Sequence, residues 1–452
     1  MNIQVKSQGK NLSRNIIFSL VMIFLYLLIV MSVNFSDDSI LKIFGILSLG
    51  FLLTSWHGIL GILSPKILQK VWSINHGDGD DPKNELHSGF YHYLFRVAVP
   101  IIMAMYTWWV AQIINNFQLE LFSFIVIFLY IVGPTIFLHL KRWYFFVLSI
   151  VWVWFPVEWN LINDHLGVFR FELVPVDALL GLFAMYWALI VTGRHIPWYN
   201  WDISRKELHY VNVSILSITL AVVPAGMLMY FLKINPNSVF FSGDVGSIVL
   251  YLYVVFFGIF VVQGLMEEML FRDIIFKQWW YRLVTEKEEN KVSSKFDLGH
   301  KSIIFSGLVV VSIPWWDEFL GLVAKILPFE IVKDAQIRVG SLDMPLGNYE
   351  GAAIPIFRGM EVWPFYMAVG LLFIIGGLWY YHKNPDPVVA ALISSGLIFG
   401  FAHFQDWRYV LFATFAGIGY GYAYYKTRNI VPAAAVHMGV DAVWTMLLSY
   451  SN

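Results

Sequence analysis

The chain has 452 residues, of which 58% are hydrophobic and only 13% are charged. Soluble domains carry about 25% charged residues, so this composition excludes a secreted enzyme, a nucleic-acid-binding protein and a disordered hub. The formal net charge of −1 gives no indication of a polyanionic or polycationic partner. The absence of cysteine excludes disulfides, thiolate metal sites and cysteine nucleophiles. The composition predicts a polytopic membrane protein, with 19 Trp and 23 Tyr available for aromatic belts at the lipid bilayer.

Apolar stretches follow one another along the chain, and a helix needs about 20 such residues to cross the hydrocarbon core. They predict an all-α transmembrane helix bundle of about 12–13 spans. In chain order the predicted spans are 16–33, 40–63, 97–115, 121–140, 143–159, 174–192, 212–232, a long helix from about 247, 303–314, 364–381, 387–403, 409–425 and 430–450.

Lys and Arg are concentrated in alternate gaps between these spans. They precede the first span and follow the second, fourth, sixth and eighth, and the stretch 277–301 is the most charged of the chain. Because short basic loops stay cytoplasmic, this distribution predicts a cytoplasmic N-terminus. The expected location is the plasma or cytoplasmic membrane.

Two domains are predicted. Residues 1–235 hold about seven spans and form an N-terminal transmembrane module of unknown role. Residues 247–450 form the second domain, which is interrupted at about 315–362 by an insert that mixes apolar patches with Pro, Gly and acidic residues. The insert is expected to be an extracytoplasmic cap or a re-entrant segment.

The first group of ionisable residues in an apolar helix is Glu267, Glu268 and Arg272. Charges in a bilayer are costly and tend to mark functional sites. Glu268 and Arg272 are four residues apart, so they share a helix face and can form an ion pair. Glu267 points in another direction, and a desolvated carboxylate without a partner on its own helix suits a general base. The alternative is a structural ion pair with a snorkelling carboxylate.

Two further groups follow in the same domain. Phe399 and His403 lie near the end of one helix, where Gly396 and Gly400 permit close approach of another helix. His437 and Asp441 share a face of the last helix, so Asp441 can fix the imidazole tautomer or orient a substrate group. Taken singly, each has a structural reading, as an interfacial histidine or a hydrogen-bonded pair.

Together, these residue types fit two kinds of chemistry. One is general-base activation of water, with polar groups that stabilise an oxyanion. The other is a divalent metal such as zinc, held by Glu267, His403 and His437 with water in the open position. The residues leave both open.

The order Glu267-Glu268-x-x-x-Arg272, Phe399-x-x-x-His403 and His437-x-x-x-Asp441 resembles the CPBP family of membrane proteins. These are the CAAX-protease and bacteriocin-processing proteins, also called the ABI family, which includes type II CAAX prenyl endopeptidases. The segment 416–432, with glycines at 417 and 421, is also similar to that family's penultimate helix and turn. The resemblance covers about residues 247–450, which would be the protease core.

The resemblance implies an intramembrane endopeptidase that acts on a membrane-embedded or membrane-associated peptide or protein C-terminal segment. It implies that Glu267 and His403 activate the attacking water. It further implies that His437 and Asp441 hold the carbonyl oxygen or the substrate, and that Glu268 and Arg272 brace the site. Members of the family are described both as metalloproteases and as glutamate-type proteases, so the resemblance leaves the metal open.

The chain departs from the family pattern in three ways. About 130 residues separate Arg272 from His403, which is longer than usual. Asp441 stands where Asn is more common, and the first 230 residues have no counterpart in the resembling core. They are expected to recruit substrate or a partner.

Two other functions compete with proteolysis. One is a catalytically silent member that acts as a scaffold, chaperone or immunity factor. The other is a transporter or a lipid- or glycan-modifying enzyme, which would depend on Glu158, Glu172 and Asp177 in the N-terminal half. The segment Gly77-Asp78-Gly79-Asp80 fits the GxGD pattern of aspartyl intramembrane proteases, but it lies in a polar loop, which favours a solvated turn.

Overall fold

The structure is a computed structural model. The predicted spans at 16–33, 40–63, 143–159 and 174–192 and the insert at 315–362 fall wholly or largely outside the residues it describes, as do Glu158, Glu172 and Asp177. The stretches described are 98–112, 121–139, 203–236, 259–277, 297–315, 363–403 and 406–450, with short pieces at 21, 24, 149, 152–153, 180–181, 183–184, 187, 201, 238, 241, 245–246, 248–249, 279–280 and 283–284.

The chain divides into two compact units, Met1–Asp202 and Ile203–Asn452. In the first unit, residues 98–112 form helix α1 and Leu121–His139 form helix α2, where the third and fourth spans are predicted. The apolar residues of α1 and α2 supply buried positions of this unit, such as Ala104 and Ile127.

The second unit holds all three motifs and is mostly helical, as predicted. Two short strands, β1 and β2, are the exception: they pair antiparallel with Lys233 opposite Ser449. The prediction that the last span runs to residue 450 is therefore wrong, since the helix ends at Leu447. The elements are α3 (Arg205–Leu228), β1 (Leu232–Ile234), α4 (259–276), α5 (Leu298–Val311), α6 (Trp363–Lys383), α7 (Pro387–Ala402), α8 (Trp407–Thr427), α9 (Ile430–Leu447) and β2 (Leu448–Tyr450).

Side-chain caps explain where the helices of this unit begin. Ser204 and Glu207 form a capping box, so α3 starts seven residues before the apolar span predicted at 212. Asp386, Asp406 and Asn429 each accept a hydrogen bond from a backbone N–H at the start of α7, α8 and α9. Because the connections between α6, α7, α8 and α9 are short, successive helices run antiparallel.

The cap of α5 also ties it to α6. Asp297 accepts hydrogen bonds from His300 Nδ1 at 2.8 Å and from Tyr381 Oη at 2.9 Å. Burial raises the pKa of the Asp297 carboxyl, but the hydrogen bonds from His300 and Tyr381 lower it more, so its pKa lies below the ordinary value. This end of α5 is thereby fixed against the last turn of α6.

Helices α7 and α8 approach closely through glycine. A Cβ at Gly400 would lie 2.0 Å from Thr414 Oγ1, and one at Gly396 would lie 3.0 Å from the Thr414 carbonyl oxygen. On the facing helix, a Cβ at Gly417 would lie 2.9 Å from the Cβ of Phe399. The close approach predicted from Gly396 and Gly400 is confirmed, and it brings the second motif against α8.

Helix α4 is irregular at the first motif. One α-helical turn, Leu265–Glu268, lies between two π-helical stretches, Ile259–Gly264 and Met269–Phe276. Such π-turns are rare and occur often at functional sites. Gly264 lies where a Cβ would be 3.1 Å from the Ala434 carbonyl oxygen, so α4 packs directly against α9, which carries the third motif.

Within the described residues, α3 and α6 are long and apolar enough to cross a membrane. Their outer faces expose large apolar side chains, including Leu216 and Leu220 on α3 and Ile375 and Trp379 on α6. An exposed apolar surface of this kind suits contact with lipid. The total of 12 or 13 spans and the orientation of the N-terminus stay predictions.

Candidate active site

A buried ion pair forms the base of the site. Arg272 Nε donates a hydrogen bond to Glu268 Oε2 at 2.7 Å, and both side chains are 0% exposed. The pair spans one turn of α4, as the spacing of four predicts. Desolvation of a carboxylate or a guanidinium is costly unless the charge is paired. The burial of each residue therefore depends on the other.

His437 joins this pair from α9. Its Nδ1 donates a hydrogen bond to Glu268 Oε1 at 3.1 Å. Glu268 therefore uses one oxygen for Arg272 and the other for His437, and the three side chains form a buried chain from α4 to α9. This contact links the first and third motifs, which are 169 residues apart in sequence.

Two carboxylates face the other nitrogen of His437. Its Nε2 lies 3.2 Å from Asp441 Oδ2 and 3.8 Å from Glu267 Oε2. The side chains of Glu267 and Asp441 are 30% and 29% exposed, whereas that of His437 is 4% exposed. Nδ1 of the imidazole therefore faces the buried ion pair, and Nε2 faces two partly exposed side chains, of which Glu267 turns a buried oxygen, Oε2, toward it.

The ring of Phe399 lies between the two motif histidines. Its centroid is 4.6 Å from that of His403 and 5.8 Å from that of His437. His403 caps the end of α7, and its Nδ1 donates to the Phe399 carbonyl oxygen at 2.8 Å. This hydrogen bond places the Nδ1 proton, so that Nε2 carries the lone pair when the ring is neutral.

Aromatic rings also cover the guanidinium of Arg272. Its central carbon lies 5.1 Å from the ring centroid of Phe399 and 5.7 Å from that of Tyr420, at cation–π distance. Within the described part of the chain, Nη1 and Nη2 of Arg272 have no hydrogen-bond partner. The π-faces of the two rings therefore contribute to the stabilisation of this charge.

The structure brings together five of the six predicted site residues by direct polar contact. Glu267, Glu268, Arg272, His437 and Asp441 form one cluster, and His403 joins it through the ring of Phe399. Sequence reasoning missed Tyr409 and Tyr420 of α8, whose rings contact His403 and His437. The sequence does contain a clue to them: they are eleven residues apart, about three helical turns, so they share a helix face, and several small residues lie between them.

The metal site considered from the sequence, with Glu267, His403 and His437 as ligands, does not fit this arrangement. Among the described residues, no group of three His, Asp or Glu side chains is placed to hold a metal ion. Of the three residues predicted to bind one, His437 has carboxylate oxygens within 3.2 Å of both ring nitrogens. These contacts occupy the lone-pair directions that a metal would need, so the described arrangement does not fit a metal ion held by Glu267, His403 and His437.

The cluster can bind and move protons at one edge of a buried imidazole. Three carboxylates face one imidazole and one guanidinium, so the protons of the site are shared among closely spaced groups. A carboxylate of this cluster can accept a proton from water, and the neighbouring imidazole N–H can donate a hydrogen bond to a developing oxyanion.

Residues 249–443 match the family model described as Rce1-like type II CAAX prenyl endopeptidase. The match spans all three motifs and confirms the resemblance to CAAX proteases. No curated protein and no solved structure matches the chain.

Proposed function

Because residues 249–443 match the family model of Rce1-like type II CAAX prenyl endopeptidases, we propose that this protein is an intramembrane endopeptidase. It cleaves a membrane-embedded or membrane-associated peptide with water that Glu267 and His403 activate. One observation carries the proposal. His437 binds the buried Glu268 through Nδ1 and turns Nε2 toward the accessible carboxylates Glu267 and Asp441.

Glu267 is the general base in this mechanism. Its side chain is partly exposed at the edge of the cluster, and its carboxylate takes a proton from the attacking water. The hydroxide equivalent adds to the scissile carbonyl carbon, and the proton then passes to the leaving amine. The family resemblance assigns His403 the orientation of that water, and the hydrogen bond from Nδ1 to the Phe399 carbonyl oxygen leaves the lone pair on Nε2 for this role.

His437 and Asp441 bind the carbonyl oxygen. Nε2 of His437 lies at the edge of the accessible region, and as a donor it stabilises the negative charge that develops in the tetrahedral intermediate. In the resting site this nitrogen contacts Asp441 Oδ2 at 3.2 Å. The substrate carbonyl oxygen would replace that contact, with Asp441 moving aside or taking up a proton.

Glu268 and Arg272 hold His437 in position. Both are fully buried, so they do not touch substrate, and their ion pair fixes the carboxylate that receives the Nδ1 proton. A hydrogen bond to one nitrogen sets the tautomer and the ring orientation of a histidine. These two residues therefore act through His437.

The substrate we propose is the C-terminal segment of a membrane-associated protein. The family name specifies a prenylated CAAX terminus, in which a lipid on a cysteine holds the chain against the bilayer. A site built from membrane helices favours such a chain, because the lipid keeps the scissile bond near the membrane. A peptide precursor or a C-terminal sorting tail would reach the site in the same manner.

The test compares cells that make the native protein with cells that make Glu267→Gln at equal membrane abundance, and maps protein ends by mass spectrometry. We expect specific ends to vanish in the variant, because loss of a general base lowers the rate by about 10²–10⁴-fold. Glu207→Gln is the matched control, because it makes the same substitution at a residue outside the three motifs. Glutamine can still form the capping box of α3, so this helix should be preserved. Identical ends in native and Glu267→Gln cells would refute the proposal.

A further inference from the structure

Helix α8 carries no residue of the three motifs, yet two of its tyrosines contact the motif histidines. The ring of Tyr409 meets His403 edge-on, with centroids 4.7 Å apart. The ring of Tyr420 lies parallel to His437, with centroids 4.7 Å apart and an interplanar angle of 18°. Eleven residues are close to three helical turns, so both tyrosines lie on the same face of α8.

We propose that Tyr409 and Tyr420 are positioning residues, each of which holds one motif imidazole in its working orientation. This inference rests on the proposed function, since it assigns the two rings a role in the same site. The tyrosines act through His403 and His437 and need no contact with substrate.

The stack on His437 restrains the imidazole without occupying its nitrogens. A ring against the flat face fixes the plane of His437, and the in-plane nitrogens remain directed at Glu268 and Asp441. Tyr420 is buried at 1% exposure and also lies under the Arg272 guanidinium. The same ring therefore restrains both ends of the chain from Arg272 through Glu268 to His437.

His403 needs such support because it lies at the end of its helix. Its φ of −106° is outside the helical range, so the α7 backbone does not fix its side chain as it would inside a helix. Phe399 and Tyr409 contact its ring at centroid distances of 4.6 Å and 4.7 Å. Trp444 packs against Tyr409 at 5.9 Å and supports it from α9.

The surface of α8 between the two tyrosines accommodates the remaining ring of the site. Gly417 leaves room for Phe399, which contacts both imidazoles. Tyr409, Gly417 and Tyr420 thus present two rings separated by a gap, and Phe399 fills the gap. The spacing of the two tyrosine rings, with Phe399 packed between them, therefore sets the distance between His403 and His437.

The alternative is that both tyrosines are ordinary packing residues. Tyr424, one turn beyond Tyr420 on the same helix, provides the matched control. It is buried, and its ring meets that of Phe276 edge-on with the centroids 5.9 Å apart. Replacement of Tyr424 by Leu removes a buried tyrosine of α8 without removing a ring from an imidazole.

The experiment uses the full chain in lipid nanodiscs. The substrate is a peptide that spans the cleavage site found by the Glu267→Gln comparison. For Tyr409→Leu and Tyr420→Leu we expect kcat to fall at least about 10-fold with KM within about 2-fold, because a catalytic group displaced by about 1 Å can lose 10²-fold in rate. The Phe variants should restore kcat, since they keep the ring. Tyr424→Leu should leave kcat unchanged, although it should lower Tm about as much as Tyr409→Leu and Tyr420→Leu do.

Each outcome separates the two proposals. If native and Glu267→Gln proteins give the same protein ends, the proposed function fails, and this inference fails with it. If the ends differ but Tyr409→Leu and Tyr420→Leu have the same kcat as Tyr424→Leu, only the positioning role is refuted. A rise in KM with unchanged kcat would also refute it, because that pattern indicates a substrate contact.

Discussion

Arg272 is one of the largest side chains in the described part of the chain that is completely removed from solvent, and its pairing with Glu268 permits that burial. The sequence predicts this pair, because a spacing of four on a helix decides it. The hydrogen bond from His437 to Glu268 could not be predicted in the same way. It depends on the packing of α9 against α4, and no local spacing encodes a contact across 169 residues.

Removal of one partner of the buried pair should destabilise the protein strongly. Arg272→Met leaves the Glu268 carboxylate buried without its cation, and we expect the free energy of unfolding to fall by about 3–5 kcal/mol. The double variant Glu268→Gln/Arg272→Met should recover part of that loss, since no uncompensated charge remains. Unfolding in detergent micelles measures all the variants of the cycle.

Additive effects of Glu268→Gln and Arg272→Met in this cycle would contradict the ion pair as a coupled unit. Methionine is unbranched and smaller than arginine, so it adds no atoms to the space that Arg272 occupies. A loss of stability is therefore attributable to the charge.

Asp441 tests the role assigned to the third motif. If the residue orients a carbonyl oxygen beside His437, Asp441→Asn should retain proteolysis within about 10-fold, because an amide can donate a hydrogen bond from the same position. Asp441→Leu should lose at least about 10² in kcat. The measurement is the rate of peptide cleavage at matched Tm, and equal loss in both variants would show that the carboxylate charge itself is required.

At the scale of elements, the helices were predictable in type but not at their boundaries. α3 begins at Arg205 because Ser204 and Glu207 cap it, although its first turn is polar and does not belong to the apolar span. β1 and β2 are too short to show a strand pattern, and their pairing arises because the ends of α3 and α9 meet. The π-helical turns of α4 likewise leave no periodicity that a short sequence window reveals.

The contact between α7 and α8 gives a prediction at this scale. Gly400→Ala places a methyl group 2.0 Å from Thr414 Oγ1 and 2.7 Å from the Val410 carbonyl oxygen, so the helices must separate. We expect a loss of about 1–3 kcal/mol in the free energy of unfolding. Separation should also displace Phe399 and lower kcat.

Gly376→Ala in α6 is the control for this substitution. Nothing lies within 4 Å of the added Cβ, and alanine is the better helix former by about 1 kcal/mol. Thermal unfolding should therefore show an unchanged or higher Tm for Gly376→Ala and a lower one for Gly400→Ala. Equal Tm values for the two variants would show that close packing of α7 on α8 is not required.

At the scale of the second unit, the two ends of the helices differ in their content of Lys and Arg. Because neighbouring helices are antiparallel, the start of α5 and the ends of α6 and α8 lie at one end, where the described cations include Lys301, Lys383, Lys426 and Arg428. The opposite end, near β1 and the start of α8, has Lys233 and Arg408. Cytoplasmic ends of membrane helices carry more Lys and Arg, which predicts that the end with Lys383 and Lys426 is the cytoplasmic one.

The absence of cysteine makes this orientation directly testable. Lys383→Cys and Lys426→Cys lie at exposed positions of one end, and Lys233→Cys lies at an exposed position of the other. On intact cells, a membrane-impermeant maleimide should label Lys233→Cys, and it should label the other two only after the membrane is opened. Labelling of Lys383→Cys on intact cells would reverse the predicted topology.

The sequence by itself determined the membrane character, the helical class and the residues that we propose carry the chemistry. These features follow from composition and from spacings of three or four residues, which depend on helix geometry alone. The tertiary structure decided which of those residues touch. Gly264 lets α4 approach α9 and so brings Glu268 to His437, while Gly417 admits Phe399 between His437 and His403. Such contacts arise from the fit of one helix surface against another, and that fit is a property of the packed molecule.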